Sequence, residues 1–141
     1  MPDAELSVWV VDDDESLRWV LEKALRQASM ETRSFDRAEH LLEAIGHDRP
    51  DVLITDVRMP GMDGIALLNR VRRSCPGLPI IVITAHSDLD HAVAAYQGGA
   101  FEYLPKPFDL DEVIELVRKA ARKNGKPASS DSAKEADKIP M

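Results

Sequence analysis

Residues 52–64 read Val-Leu-Ile-Thr-Asp-Val-Arg-Met-Pro-Gly-Met-Asp-Gly. Val52 to Thr55 is a short continuous run of apolar and β-branched residues, the pattern of a strand covered on both faces. Asp56 ends the run. Met59 to Gly64 then holds one proline and two glycines, a strong breaker. Beyond it Ile65, Leu67, Leu68 and Val71 recur at helical spacing until Pro76-Gly77. The segment is therefore one strand–loop–helix unit with an acid at the strand's end.

The same unit repeats outward in both directions. Leu6 to Val11 is a second apolar run, ended by Asp12-Asp13-Asp14 and followed by helical spacing at Leu17, Val20, Leu21, Ala24, Leu25 and Ala28. Glu31 to Phe35 alternates with polar residues and is expected toward a sheet edge. Asp36, with Glu39 three residues later, reads as a capping-box start for a helix bearing Leu41, Leu42 and Ile45 and stopping near Gly46. Ile80 to Ile83 is the most apolar strand and is expected at the sheet's centre, with Thr84 at its end. His86 to Gln97 reads as a helix closed by Gly98-Gly99, and Phe101 to Leu104 as a strand leading to Pro105-Lys106-Pro107. Lys106-Pro107 is a candidate cis bond. Asp109 caps a last helix with Leu110, Val113, Ile114, Leu116, Val117 and Ala120. Short strands alternating with helices predict an α/β fold: a flavodoxin-like, doubly wound, five-stranded parallel sheet, (βα)5.

Composition bounds what such a domain does. The 141 residues suit one domain, placed at 1–123; 124–141, whose only large apolar residues are Ile139 and Met141, reads as a flexible linker toward output domains beyond it. An apolar fraction of 44% and a charged fraction of 30% fit a soluble protein. A net charge of −7 argues against non-specific nucleic-acid binding. The longest apolar run, Leu78 to Ala85, is too short to span a bilayer, and residues 1–5 lack the regions of a signal peptide. One cysteine, Cys75, permits no internal disulfide and is expected near a helix end. Cytoplasmic residence, without a membrane partner, is the expectation. Trp9 and Trp19 read as core or half-buried residues, and the four histidines form no metal-ligand pattern.

In a parallel sheet all strand C-termini share one edge, so Asp12-Asp13-Asp14, Asp56, Thr84 and Lys106 are expected to meet there. Gathered carboxylates repel one another unless a divalent cation and an ammonium are present. Mg²⁺ typically takes one or two carboxylates with waters and phosphate oxygens. The spacing leaves the metal pair open between Asp12/Asp13 and Asp13/Asp14; proximity to the strand end favours Asp12 and Asp13, with Asp14 as helix cap. Asp56 reads as a nucleophile that forms an acyl phosphate, and the Arg58 backbone carbonyl as a further metal ligand. Lys106 is placed to neutralise a phosphoryl oxygen and Thr84 to hydrogen-bond the new phosphate. The helix from His86 to Gln97, with Leu89 and Val93, is the element expected to respond.

VWVVDDDESLRWVLEKAL, LITDVRMPGMDG, IVITAHSDLDHAV and EYLPKPFDLDE resemble the receiver domain of two-component response regulators, over about Glu5 to Arg122. RWVLEKAL, TAHSDLD and GAFEYLPKPF are similar to the nitrogen-regulatory NtrC group. The resemblance implies a switch rather than an enzyme with a separate substrate, self-catalysing its phosphorylation and dephosphorylation. Asp56 would take a phosphoryl group from a phosphohistidine of a partner sensor histidine kinase. Asp13 would ligate Mg²⁺ directly, Asp12 mainly through water, and Asp56 and the Arg58 carbonyl would complete the protein ligands. Thr84 would move toward the phosphate, Tyr103 would change rotamer with it, and Lys106 would bridge an oxygen. Downstream ATPase and DNA-binding domains are implied, acting in transcription. A phosphorylation-dependent dimer is left open by the residues. The alternative, a stand-alone Mg²⁺-dependent aspartyl-phosphate phosphatase or phosphotransferase, generally places an acid two residues after the nucleophile; here that position is Arg58.

Overall fold

The computed structural model describes residues 6–85, 93–94 and 96–123. Five strands, β1 (Ser7–Val11), β2 (Glu31–Phe35), β3 (Val52–Asp56), β4 (Ile80–Ala85) and β5 (Glu102–Lys106), form one sheet. Its order is β2-β1-β3-β4-β5 and every neighbouring pair is parallel. This is the flavodoxin-like, doubly wound order, whose reversal point lies between β1 and β3. Four helices are described in full: α1 (Glu15–Gln27), α2 (Ala38–Ile45), α3 (Gly64–Ser74) and α4 (Leu110–Lys123). Of the helix expected from His86 to Gln97, Val93, Ala94, Tyr96 and Gln97 are helical, and the rest, Leu89 included, lies outside the described residues.

Alternation along the strands divides the core into two layers. Trp9, Val11, Leu53, Ile80 and Val82 pack with Leu41, Leu67, Leu68 and Val71 of α2 and α3. Val8, Val10, Val52, Ile54, Ile81 and Ile83 pack with Leu21 and Leu25 of α1 and Val113 and Val117 of α4. Covering both faces is what the uninterrupted apolar strands require. Among the described residues no helix is long and apolar enough to cross a membrane.

Several expectations are corrected. The middle strand is β3, with all five residues buried, whereas Ile80 to Ile83 lies in β4, one position toward the β5 edge. Apolarity reports only that a strand is covered on both faces, which is true of both. Asp36 does not cap α2: the N-cap is Arg37, with no side-chain cap, and Asp36 Oδ1 pairs with His40 Nδ1 at 2.9 Å, one helical turn on. Glu39 turns away to another loop, accepting a hydrogen bond from the Met62 backbone N–H. Trp19 is 60% exposed, with Lys23 Nζ 5.0 Å from its ring centre, because it lies off the stripe that buries Leu21 and Leu25. Trp9 is core, β2 is an edge, and Cys75 is buried at the end of α3.

Candidate active site at the carboxyl edge of the sheet

The strands run further than their apolar cores suggest, and this carries the polar residues into the sheet. Asp56 is the last residue of β3 and pairs in register with Ile83; Thr84 pairs with Pro105 and Ala85 with Lys106. Pro105 is tolerated because β5 is an edge strand and needs no outward N–H. The Lys106–Pro107 bond is cis, as expected. Asp56, Thr84 and Lys106 thereby occupy the ends of three adjacent strands, with Asp12 just past the end of β1.

The acidic trio separates by role. Asp14 caps α1, its Oδ1 accepting from the N–H groups of Ser16 and Leu17 at 3.0 and 3.3 Å. Asp12, 2% exposed, accepts from Asp14 N–H at 2.9 Å. The Arg18 guanidinium donates to the Asp12 carbonyl at 2.8 Å and tethers that turn to α1. Asp13 is exposed. Carboxylate oxygens of Asp12, Asp13 and Asp56 all lie within 4.8 Å of one another, a donor set of hard oxygens.

Asp56 is 7% exposed; its Oδ1 accepts from Val57 N–H at 2.8 Å, which fixes the plane of the carboxylate. Lys106 Nζ lies 3.5 Å from Asp56 Oδ2 and 3.9 Å from Asp12 Oδ2. One ammonium thus faces two buried carboxylates, with a third beside them. Burial pushes the Asp12 carboxyl up to about 6; the Asp14 N–H opposes this and the Asp56 charge adds to it. Burial also raises Asp56, against the pull of Lys106. The negative charge left uncompensated fits a divalent cation. Thr84 is fully buried at the end of β4.

The loop after β3 walls an open cleft of about 540 Å³ bounded by Asp13, Arg58, Met59, Gly61 and Asp63. Gly64 closes its base, donating to the Val57 carbonyl at 2.8 Å. A Cβ there would sit 2.0 Å from the Asp56 carbonyl oxygen, so only glycine lets α3 start against the strand end. Asp63 caps α3 through Ala66 N–H at 2.9 Å. Of the residues expected to respond, Tyr103 is half-buried with its ring 6.5 Å from that of Tyr96, and Val93 is already 48% exposed. Tyr96, whose hydroxyl donates to Glu102 Oε2 at 3.2 Å, was not singled out as a site residue; its place on the same helical face as Val93 was the available signal.

A parallel sheet of this order with acids, a hydroxyl and a lysine on its carboxyl edge defines a class, and comparison with known proteins agrees. The family described as "Response regulator receiver domain" matches residues 8–118, and the chain belongs to it. Within that family it is similar to the DNA-binding transcriptional regulator NtrC of Escherichia coli K12, 58% identical over 113 residues, which are 80% of this chain and 24% of that protein. The C4-dicarboxylate transport transcriptional regulatory protein DctD of Rhizobium meliloti is 38% identical over 117 residues, 83% of this chain and 25% of that protein. The chain thus spans about a quarter of the length of these curated relatives. Among solved structures, the apo receiver domain of nitrogen regulatory protein C superposes with a TM-score of 0.78 at 54% identity, covering 85% of this chain and 97% of that one. Its BeF3-activated form gives 0.74 at 55% identity, covering 84% and 96%.

Proposed function

We propose that this chain is a phosphoryl-accepting switch in which Asp56 is the phosphorylation site. The observation that carries the reading is the placement of Lys106 between Asp56 and Asp12 beside a third carboxylate, at the sheet edge where such folds bind ligands. A carboxylate oxygen of Asp56 attacks the phosphorus of a phosphohistidine on a sensor histidine kinase. The new O–P bond forms as the P–N bond breaks, and the released imidazole nitrogen takes a proton from solvent. The ammonium of Lys106 offsets charge on the transferring oxygens, and the Thr84 hydroxyl donates to one of them once the group is in place. Asp13, Asp56 and the Arg58 carbonyl would hold Mg²⁺ directly, with Asp12 acting through water. When bound there, such an ion would supply positive charge to the transferring phosphoryl group.

The phosphoryl group adds about −1.5 to −2 charge and three strong acceptors, enough to bias two arrangements of the segment that follows Thr84. Tyr103, Leu89 and Val93 are the positions assigned to that response. Residues 1–123 form the domain, and 124–141 link it to an ATPase and a DNA-binding output. The likeness to NtrC supports a role in transcription and nitrogen regulation in the cytoplasm. Arg58, two residues after Asp56, offers no acid for a phosphatase's leaving group, which disfavours the enzyme alternative.

Incubation with Mg²⁺ and acetyl phosphate, followed by intact mass analysis, tests the reading. One alkali-labile phosphoryl addition that Asp56→Asn abolishes is expected. An unmodified parent chain, or equal addition to the variant, overturns it.

A further inference from the structure

Glu39 stands in the first turn of α2, on a different element from every residue assigned above. Its Oε2 accepts from the Met62 N–H at 3.2 Å across 23 residues of sequence. A Cβ at Gly61, where φ is +79°, would come within 2.8 Å of the same oxygen. The loop after β3 is therefore moulded around this carboxylate. Glu39's own backbone N–H and that of Met62 hold its carboxyl below the ordinary range, so it stays ionised as an acceptor.

The loop is also held near its end on α3, by Gly64 N–H on the Val57 carbonyl and by Asp63 capping Ala66. Neither restrains the tip at Gly61 and Met62. The tip's packing rests on Met62, partly buried against the α2–α3 layer, beside the buried Met59. The same loop begins with Arg58 and forms one wall of the cleft facing Asp13.

We propose that Glu39 is a positioning residue of the Asp56 site, clamping the Arg58–Gly64 loop to α2 through the Met62 amide so that the loop's backbone is preset for the cation. This role rests on the reading of the cleft as a Mg²⁺ site. Glu39 touches neither metal nor phosphoryl group; it acts through the loop. A solvent-facing hydrogen bond of this kind changes an equilibrium by a factor of about five.

Calorimetric titration of the full chain with Mg²⁺, beside amide exchange of the metal-free protein, tests it. Glu39→Ala is expected to weaken Mg²⁺ binding about fivefold and to speed exchange at Met62. Glu39→Gln, which keeps a side-chain oxygen as acceptor, is expected to restore both. Parent-like affinity in Glu39→Ala, or a Gln variant as weak as the Ala variant, overturns the positioning role while leaving the metal site intact. A parent chain that takes up no Mg²⁺ overturns the metal reading, and this role with it.

Discussion

Asp12 lies beside a second carboxylate with one ammonium between them; burial, with the Asp56 charge adding to it, pushes its carboxyl from an ordinary 3.8 up to about 6. A carboxyl raised on folding binds more protons folded than unfolded. Its contribution is therefore fully present below the unfolded value and lost as pH rises through about 6. Asn mimics the neutral form and keeps the oxygen that accepts from Asp14 N–H. In metal-free protein, Asp12→Asn is expected to be more stable than the parent at about pH 7.5 and to have lost most of that advantage at about pH 4.5. Thermal denaturation at the two pH values checks this; a gap independent of pH contradicts it. Mg²⁺ should stabilise the parent and have much less effect on the variant, since it binds only the folded, ionised cluster.

Asp12, Asp56, Thr84 and Lys106 sit where one element hands over to the next. Asp14 shows how a motif divides between structure and chemistry: the third acid of the trio caps α1, while Asp12 and Asp13 turn toward Asp56. Asp14→Ala is accordingly expected to lower stability by about 1 kcal/mol, as loss of an N-cap does, with Mg²⁺ affinity preserved. Denaturant unfolding and metal titration read the two quantities separately. Beryllofluoride, which mimics the acyl phosphate, is expected to change amide exchange at Val93, Ala94 and Tyr96. Unaltered exchange there would remove this segment from the response.

The whole molecule was largely legible in the sequence because parallel sheets write their topology in repeating units. Apolar runs such as Val52 to Ile54 placed strands, and turn residues such as Pro60 and Gly61 placed their ends. What was not legible depends on contacts between units. Strand order within the sheet follows from packing, so β3 and β4 could not be ranked from their apolarity. The last residues of β4 and β5 pair only because a neighbour offers a ladder, which hid Thr84, Pro105 and Lys106 inside strands. Glu39 looked like a local cap because sequence shows its own helix, whereas its partner is 23 residues away. The exposure of Trp19 could be read: the helical stripe that buries Leu21 and Leu25 leaves that position outside.

The function proposed above makes Asp56 the acceptor of the phosphoryl group. Borohydride reduces an aspartyl phosphate to homoserine, so reduction after phosphorylation, followed by peptide mass mapping, marks the residue that carried it. Homoserine at position 56 alone, formed only when Mg²⁺ is present, is the expected result. Label at Asp12 or Asp13, or label at Asp56 that is indifferent to Mg²⁺ and to Lys106→Ala, would contradict the account.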